Sequence, residues 1–399
     1  MYRKGIPRCG SGLRTTPLAK SGFFYYSRYT NYIIMNGKSN YQIYSTSKEA
    51  WDAMYQAISD AQKSIYWEVY ILIDDSVGNR FFDLLCEKVK QGVDVKIVVD
   101  YWGSFWLSNK AIEKLKNAGV DIRLFKFDGN ILHGLKNWLA RRNHRKIMVI
   151  DEKIGFIGGV NVQKDMENWL DIHVSVKGNA VNSLSRAFAK SYIISGGDKE
   201  KVKKLLQYKF RIAKGEAKFI YDEPNQKISN ARKKYTEALL KARERVILFS
   251  PYYFPDRKFL QALWAARKRG VRVDLLIPFR VDIKIAKYAA FTWFSIMRKH
   301  GVNIHLIDKM MHGKGVIVDD DWAMVGSSNI EQGGFYNNYE ANVKIEDKST
   351  VKKLKDKVLQ WLEQTVSFDD IKWAKRSRWH KFKEKMALKM YKYWYGKKK

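Results

Sequence analysis

The chain has 399 residues, 46% of them hydrophobic, which is enough to bury a substantial core and too apolar for a disordered polyelectrolyte. A formal net charge of +33, from 74 basic and 41 acidic residues, calls for anionic partners: phospholipid surfaces, nucleic acid or phosphate-bearing substrates. Two cysteines, Cys9 and Cys86, exclude a disulfide framework, and no run reaches the roughly 18 to 20 apolar residues of a membrane-spanning helix.

The first 48 residues contain no Asp or Glu but do contain Arg3, Lys4, Arg8, Arg14, Lys20 and Arg28, so a basic extension is expected over 1–35. Its composition fits a transit peptide or an ordinary basic arm. The apolar run Ser64 to Ile73 (SIYWEVYILI) predicts a strand, and the pattern around FFDLLCEKV predicts a helix that places Cys86 in the core. Two Gly-Val turns follow, each leading into a strand: QGVDVKIVVD from Gln91 and NAGVDIRLF from Asn117. Between them the string YWGSFWL, Tyr101 to Leu107, lies after a strand end, where open α/β sheets place their sites. It is read as a hydrophobic lip or as an inter-half contact. Residues 144–161 (HRKIMVIDEKIGFIGGVN) then predict a hairpin of two short strands.

The same order returns after a charged, aperiodic stretch expected to be a connector over 197–232. RVILFSPYY from Arg245 matches the first strand, RGVRVDLLIP from Arg269 and KHGVNIHLI from Lys299 match the Gly-Val turns, and residues 312–329 (HGKGVIVDDDWAMVGSSN) match the hairpin. The offsets are 178 for the first glycines (270 − 92), 182 for the second (301 − 119) and 168 for the hairpins (312 − 144), as in duplicated units with different loop lengths. Strands alternating with helices of about 12 residues predict an α/β protein: two duplicated halves (36–196 and 233–367), each a mixed, largely parallel sheet flanked by helices, in a pseudo-twofold pair sharing one active site. The most apolar helix, Ile285 to Met297, is short and carries Lys287.

A basic tail occupies 368–399. From Ile371 it holds 12 basic residues against the single acid Glu384, and Trp379, Phe382, Met386, Met390 and Tyr393 fall on one helical face. A basic amphipathic helix lies in a membrane interface, where each lysine near anionic lipid contributes on the order of 1 kcal/mol. The alternative is that the stripe docks on the protein's own core.

The doubled string carries the chemistry. His144, Lys146, Asp151, Gly158 and Asn161 recur as His312, Lys314, Asp319, Gly326 and Asn329. In an extended HxK segment His and Lys share a face while Arg145 or Gly313 points away, so an imidazole and an ammonium converge on one point, a pair suited to phosphate. Asp151 and Asp319 belong to the motif and are read as mainly structural, holding backbone amides at a strand-to-turn position. Asn161 and Asn329 offer amide donors to the phosphate. Two imidazoles allow one to attack as a neutral nucleophile while the other donates a proton to the leaving alkoxide. A carboxylate behind each would fix its tautomer, and Asp171 and Glu340 follow the histidines at spacings of 27 (171 − 144) and 28 (340 − 312). Zinc or manganese is disfavoured, because each His has a Lys beside it that would oppose the metal's charge. No cofactor is expected.

The two motifs resemble those of the phospholipase D superfamily, HxK(x4)D(x6)G(G/S)xN, and the likeness runs from about Lys38 to Leu362. Within it the chain is most similar to bacterial cardiolipin synthases, through NHRK at Asn143 to Lys146, SPYYFPD at Ser250 to Asp256, WLDIHV from Trp169, and Gly326 with Ser327. The likeness is to the subgroup expected to be without the pair of N-terminal membrane helices of many such synthases. The resemblance implies a metal-independent phosphatidyl transfer through phosphohistidine, with His144 as nucleophile, His312 as acid and then base, and Ser327 among the supporting groups. It implies phosphatidylglycerol as substrate; the charge and basic tail add an anionic membrane surface as partner, peripheral attachment is expected at the cytoplasmic face of a bacterial inner membrane, and both motifs in one chain lead to the expectation of function as a monomer. A hydrolase, a nuclease of the same superfamily and a non-catalytic polyanion binder are the rival readings. Nucleic acid is the less expected partner, since related nucleases are commonly single-motif chains.

Overall fold

In the computed structural model the described residues are 40–126, 141–208, 217–224, 226–282, 284–331, 333–367 and 375–395. The expected basic extension over 1–35, with Cys9, lies outside them, as do residues 368–374 and 396–399 of the tail.

The first half runs β1 (Asn40–Thr46), α1 (Ser47–Asp60), β2 (Ser64–Val69), α2 (Ser76–Lys90), β3 (Asp94–Asp100), α3 (Asn109–Asn117), β4 (Asp121–Phe125), β5 (Ile147–Ile150), β6 (Ile154–Gly158) and β7 (Leu170–Lys177). Helices α4 (Val181–Ile194) and α5 (Lys199–Leu206) follow. The second half runs β8 (Lys218–Asp222), α6 (Asn230–Lys241), β9 (Arg245–Phe249), α7 (Arg257–Lys268), β10 (Arg272–Pro278), α8 (Lys284–Lys299) and β11 (Asn303–Ile307). It continues through β12 (Gly315–Val318), β13 (Trp322–Gly326), β14 (Glu340–Ile345), α9 (Lys348–Glu363), β15 (Thr365–Ser367) and α10 (Arg378–Tyr395).

Local chemistry sets these boundaries. Thr46, Asp75, Ser108, Asp256 and Asp347 cap helices by accepting amides of the first turn. Gly92, Gly119, Gly270 and Gly301, the glycines of the four Gly-Val turns, have φ of 85°, 96°, 87° and 77° and end α2, α3, α7 and α8 in the left-handed conformation that a side chain would resist.

The sheets repeat one another. The first has the order β1-β7-β6-β5-β2-β3-β4 and the second β8-β14-β13-β12-β9-β10-β11-β15. Among the described strands of the two sheets, β2–β3–β4 and β9–β10–β11 pair parallel and the other neighbours pair antiparallel. The sheets are thus mixed, with a smaller parallel share than the alternating strands and helices suggested, because each motif hairpin and its return strand run antiparallel to their neighbours. The stretch expected to be a connector carries α5 and the edge strand β8, which pairs with β14 as β1 pairs with β7.

One core lies between the halves. Ile147, Val149, Ile172 and Val174 of the first sheet share a cluster with Phe249, Ile317, Val325 and Val343 of the second, closed by Leu184 and Phe188 of α4 and Leu354 and Val358 of α9. At about 1.5–3 kcal/mol per buried side chain of this size, such an interface ties the halves into one body. The outer faces bury separate clusters under α1, α2 and α3, and under α6, α7 and α8. Cys86 is buried in the first of these.

Candidate active site

Each motif histidine sits just before a hairpin strand, on a short extended segment paired with the other half. Asn143 forms a parallel bridge to Tyr339, with the His144 amide donating to the Tyr339 carbonyl at 3.0 Å and the Tyr339 amide to the Arg142 carbonyl at 2.9 Å. Met311 bridges Leu170 in the same way, with the His312 amide donating to the Leu170 carbonyl at 2.6 Å and the Leu170 amide to the Met310 carbonyl at 3.0 Å. The residue after each partner is a carboxylate, Glu340 or Asp171. The bridges therefore cross the carboxylates between the halves: His144 Nδ1 lies 3.0 Å from Glu340 Oε1, and His312 Nδ1 lies 2.7 Å from Asp171 Oδ2. The near-equal spacings within each half suggested a carboxylate for each histidine, and the crossing is a feature that spacing does not contain.

Both lysines are buried beside their histidines. Lys146 Nζ donates to the His144 carbonyl at 2.7 Å, and Lys314 Nζ donates to that of His312. Each imidazole feels the charge of both lysines, which places the four groups in one pocket. Burial, reinforced by Lys146 and Lys314, holds His144 well below its usual range. Burial and Lys314 also lower His312, with Asp171 opposing them. Burial brings Lys314 down to about 8. The two carboxylates diverge. Burial pushes Glu340 up to about 7, whereas for Asp171 burial is outweighed by the charge and hydrogen bond of His312 together with Lys314 and the Ile172 amide, which hold it below the ordinary carboxylate range.

The other motif residues support this pocket from different places. Asp151 and Asp319 lie at the far ends of β5 and β12 from the histidines, five residues beyond Lys146 and Lys314, or roughly 16 Å of extended chain. Asp151 accepts the amides of Gln62, Lys63 and Ser64 at 2.7–3.2 Å, and Asp319 those of Arg243, Glu244 and Arg245 at 2.9–3.1 Å. Their φ of 52° and 48° makes the tight hairpin turn. This geometry is that of fasteners between hairpin and first strand, and it sets both carboxylates apart from the histidine pocket. Gly158 and Gly326 pack against β7 and β14, where a Cβ would meet the Ile172 and Ala341 carbonyls at 2.4 Å.

Asn161 and Asn329 are buried. Asn161 Oδ1 accepts the Ile71 amide at 3.2 Å, and Asn329 Nδ2 donates to Glu331 at 3.3 Å. Ser327 accepts the Ala341 amide at 3.0 Å and donates to Glu340, so it touches the carboxylate behind His144. Its counterpart Gly159 lies where a Cβ would strike Asp171 Oδ1 at 2.2 Å.

Two aromatic residues join the site: Tyr70, which was not singled out in the sequence, and Trp169, which appeared there only as the first residue of WLDIHV. Tyr70 stands edge-on to His144 with ring centres 4.8 Å apart, and Lys146 Nζ lies 4.8 Å from its ring centre. Trp169 lies 5.5 Å from the His312 ring. Tyr70 lies one residue past the end of β2 and Trp169 one residue before β7. Among the described residues no group of three or more His, Cys, Asp or Glu side chains is gathered as a metal site.

Comparison with known proteins places these features in a family. The model described as "Cardiolipin synthase, PLD-like domain" matches residues 54–191 and 235–363. Cardiolipin synthase of Geobacillus thermodenitrificans (strain NG80-2) is 30% identical over 344 residues, covering 84% of this chain and 68% of that protein. Cardiolipin synthase 2 of Bacillus anthracis is 32% identical over 339 residues, covering 82% of this chain and 65% of that protein. The chain thus spans about two thirds of the length of these relatives. Among solved structures, phosphatidylserine synthase of Haemophilus influenzae Rd KW20 superposes with a TM-score of 0.65 at 13% identity, covering 88% of this chain and 92% of that one, a likeness of fold.

Proposed function

The chain belongs to the cardiolipin synthase family of phospholipase D-like enzymes, and from that membership we propose that it joins two phosphatidylglycerol molecules into cardiolipin and glycerol through a phosphohistidine. The observation that carries the reading is the crossed pair of buried imidazole–carboxylate contacts in one pocket with two lysines.

With Nδ1 of His144 held by Glu340, its Nε2 is the nitrogen left to attack phosphorus. The low basicity of His144 keeps that lone pair available at neutral pH. As the P–N bond forms, the P–O bond to glycerol breaks, and the departing oxygen takes the Nε2 proton of His312. Asp171, an anion at neutral pH, stabilises the imidazolium that supplies this proton. His312 then removes the proton from a hydroxyl of a second phosphatidylglycerol, whose oxygen displaces His144 and releases cardiolipin. Lys146 and Lys314 offset charge on the non-bridging oxygens, and Asn161 and Asn329 are assigned as supporting groups on their place in the motif. The phospholipid is met at an anionic membrane surface, with the protein attached from one side; among the described residues no helix is long and apolar enough to cross a membrane.

The test is to incubate the purified protein with phosphatidylglycerol vesicles and a chelator and identify products by mass spectrometry beside a His144→Ala control. Cardiolipin plus glycerol in the wild type alone is the expected result. Phosphatidic acid without cardiolipin would make the protein a hydrolase, and nicked DNA without any lipid product would overturn the lipid reading.

A further inference from the structure

Two groups of exposed rings follow equivalent strand ends, one after β3 in the first half and one after β10 in the second. In the first half the loop after β3 is pinned at the pocket's rim. Asp100 accepts the Trp102 and Gly103 amides at 3.0 and 2.8 Å, and the Ser104 hydroxyl donates to the Tyr70 carbonyl at 3.1 Å. Tyr70 is the residue edge-on to His144. From this fixed base Phe105 and Trp106, with ring centres 5.3 Å apart, stand 54% and 75% exposed.

In the second half the corresponding strand end is that of β10. Phe279 follows it, stacks on Phe291 and is still 43% exposed. Phe291 contacts Tyr288, near the start of α8, and Tyr288 in turn meets His380 and Lys383 of α10. Helix α10 is seated on this side by its polar-flanked inner face: Glu384 is buried in an ion pair with Arg376 at 2.7 Å, and Ala387 is buried in the outer core beside Leu388. The opposite face carries Trp379, Phe382, Met386 and Met390, which are 61%, 51%, 40% and 42% exposed, with Arg378, Lys381, Lys385 and Lys389 exposed among them. These four residues of the stripe expected in the sequence to lie on a membrane or on the core are thus turned away from the core, and the side chain of Tyr393 lies outside the described residues.

We propose that these two groups form one docking face for an anionic bilayer, with Phe105 and Trp106 on one lip of the pocket and Phe279 and the outward stripe of α10 on the other. This rests on the lipid reading above and gives it a geometry. Interleaved lysines and rings complement a surface that is anionic outside and apolar just beneath, where aromatic and Met side chains gain by leaving water and lysines stay at headgroup level. A nucleic-acid backbone would complement the lysines but offers nothing to Met386 and Met390. With the lips in the interface, a phosphodiester at headgroup depth reaches the histidines while its acyl chains remain in the bilayer.

The experiment is flotation of the full chain with vesicles of phosphatidylglycerol and phosphatidylcholine, or phosphatidylcholine alone, together with turnover of water-soluble dihexanoyl phosphatidylglycerol. The variants are Phe105→Ser with Trp106→Ser, and Trp379→Ser with Phe382→Ser. Wild type should prefer the anionic vesicles and release with salt. Each variant should lose at least tenfold in vesicle binding and in quenching by brominated acyl chains, while turnover of the soluble lipid stays within twofold and the melting temperature is unchanged. Undiminished vesicle binding by both variants would overturn the docking face, as would retention on duplex DNA with no vesicle binding by the wild type. Ring-dependent vesicle binding by a protein that turns over no lipid would support the face and sink the enzymatic reading instead.

Discussion

Glu340 and Asp171 hold equivalent imidazoles yet differ in acidity, and their neighbours explain the difference. Both are buried: for Asp171 the charge and hydrogen bond of His312, with Lys314 and the Ile172 amide 2.7 Å away, outweigh burial, whereas for Glu340 burial outweighs the charge of Lys146 and the donors Ser327 and Asn338. An anionic Asp171 favours a protonated His312, and the less basic His144 is suited to attack. His312→Asn is therefore expected to accumulate a phosphoenzyme from phosphatidylglycerol, and His144→Asn none, as read by mass spectrometry of acid-quenched protein; the reverse pattern would exchange the roles. Stability should follow the same divergence. Glu340 is raised from 4.5 to about 7, so between those values the folded chain binds more protons than the unfolded one, and stability falls as pH rises. At ~1.4 kcal/mol per unit this is on the order of 3 kcal/mol. Asp171, shifted the other way, contributes stability above the ordinary carboxylate range that is lost as pH falls through its lower value. Glu340→Gln should consequently gain several degrees in melting temperature relative to wild type between pH 5 and pH 8. A constant difference across that range would contradict the assignment.

At the scale of elements, Asp151 and Asp319 fasten each motif hairpin to the residues that start β2 and β9. Each carboxylate satisfies three backbone amides from a left-handed turn position. Asp151→Ala or Asp319→Ala should cost about 1–3 kcal/mol, since the amides lose their charged acceptor but are near water. Thermal melts should show this loss while turnover per folded molecule stays within twofold; a large fall in turnover at unchanged stability would return both residues to the reacting centre. The elements themselves were legible where pattern and backbone chemistry coincide. The four Gly-Val turns and the two hairpins appear in the sequence as they do in the fold, because helix ends need glycine and buried strands need apolar runs. Strand β8 was not legible, since its residues are only half-buried and it sits in a charged stretch. Nor was the seating of α10, whose apolar stripe is visible by period while its docking depends on the Arg376–Glu384 pair and on Tyr288 from a distant helix.

Over the whole molecule, the two halves are interlocked at the reacting groups themselves. Arg145, buried between them, donates to the Glu340 carbonyl at 3.3 Å and the Asp222 carbonyl at 3.4 Å, and lies 5.2 Å from the Tyr339 ring centre, so the first motif is tied to the strand that carries the carboxylate for His144. Sequence spacing could not reveal this, because 27 and 28 residues fit a carboxylate serving its own half as well as one serving the other; the choice is made by backbone bridges between segments some 140 to 200 residues apart. Crossed wiring has a measurable signature. In long-range imidazole 1H–15N spectra, Asp171→Asn should lower the titration midpoint of His312 and leave the His144 resonances in place, because a neutral amide no longer stabilises the imidazolium. Glu340→Gln should shift the His144 resonances and spare His312. Wiring within each half predicts the opposite assignment, with Asp171→Asn acting on His144. The kinetic counterpart is that Asp171→Asn should slow leaving-group protonation by about 10²–10⁴, the usual range for a general acid, and should add little to the defect of His312→Ala, because the carboxylate acts through that imidazole.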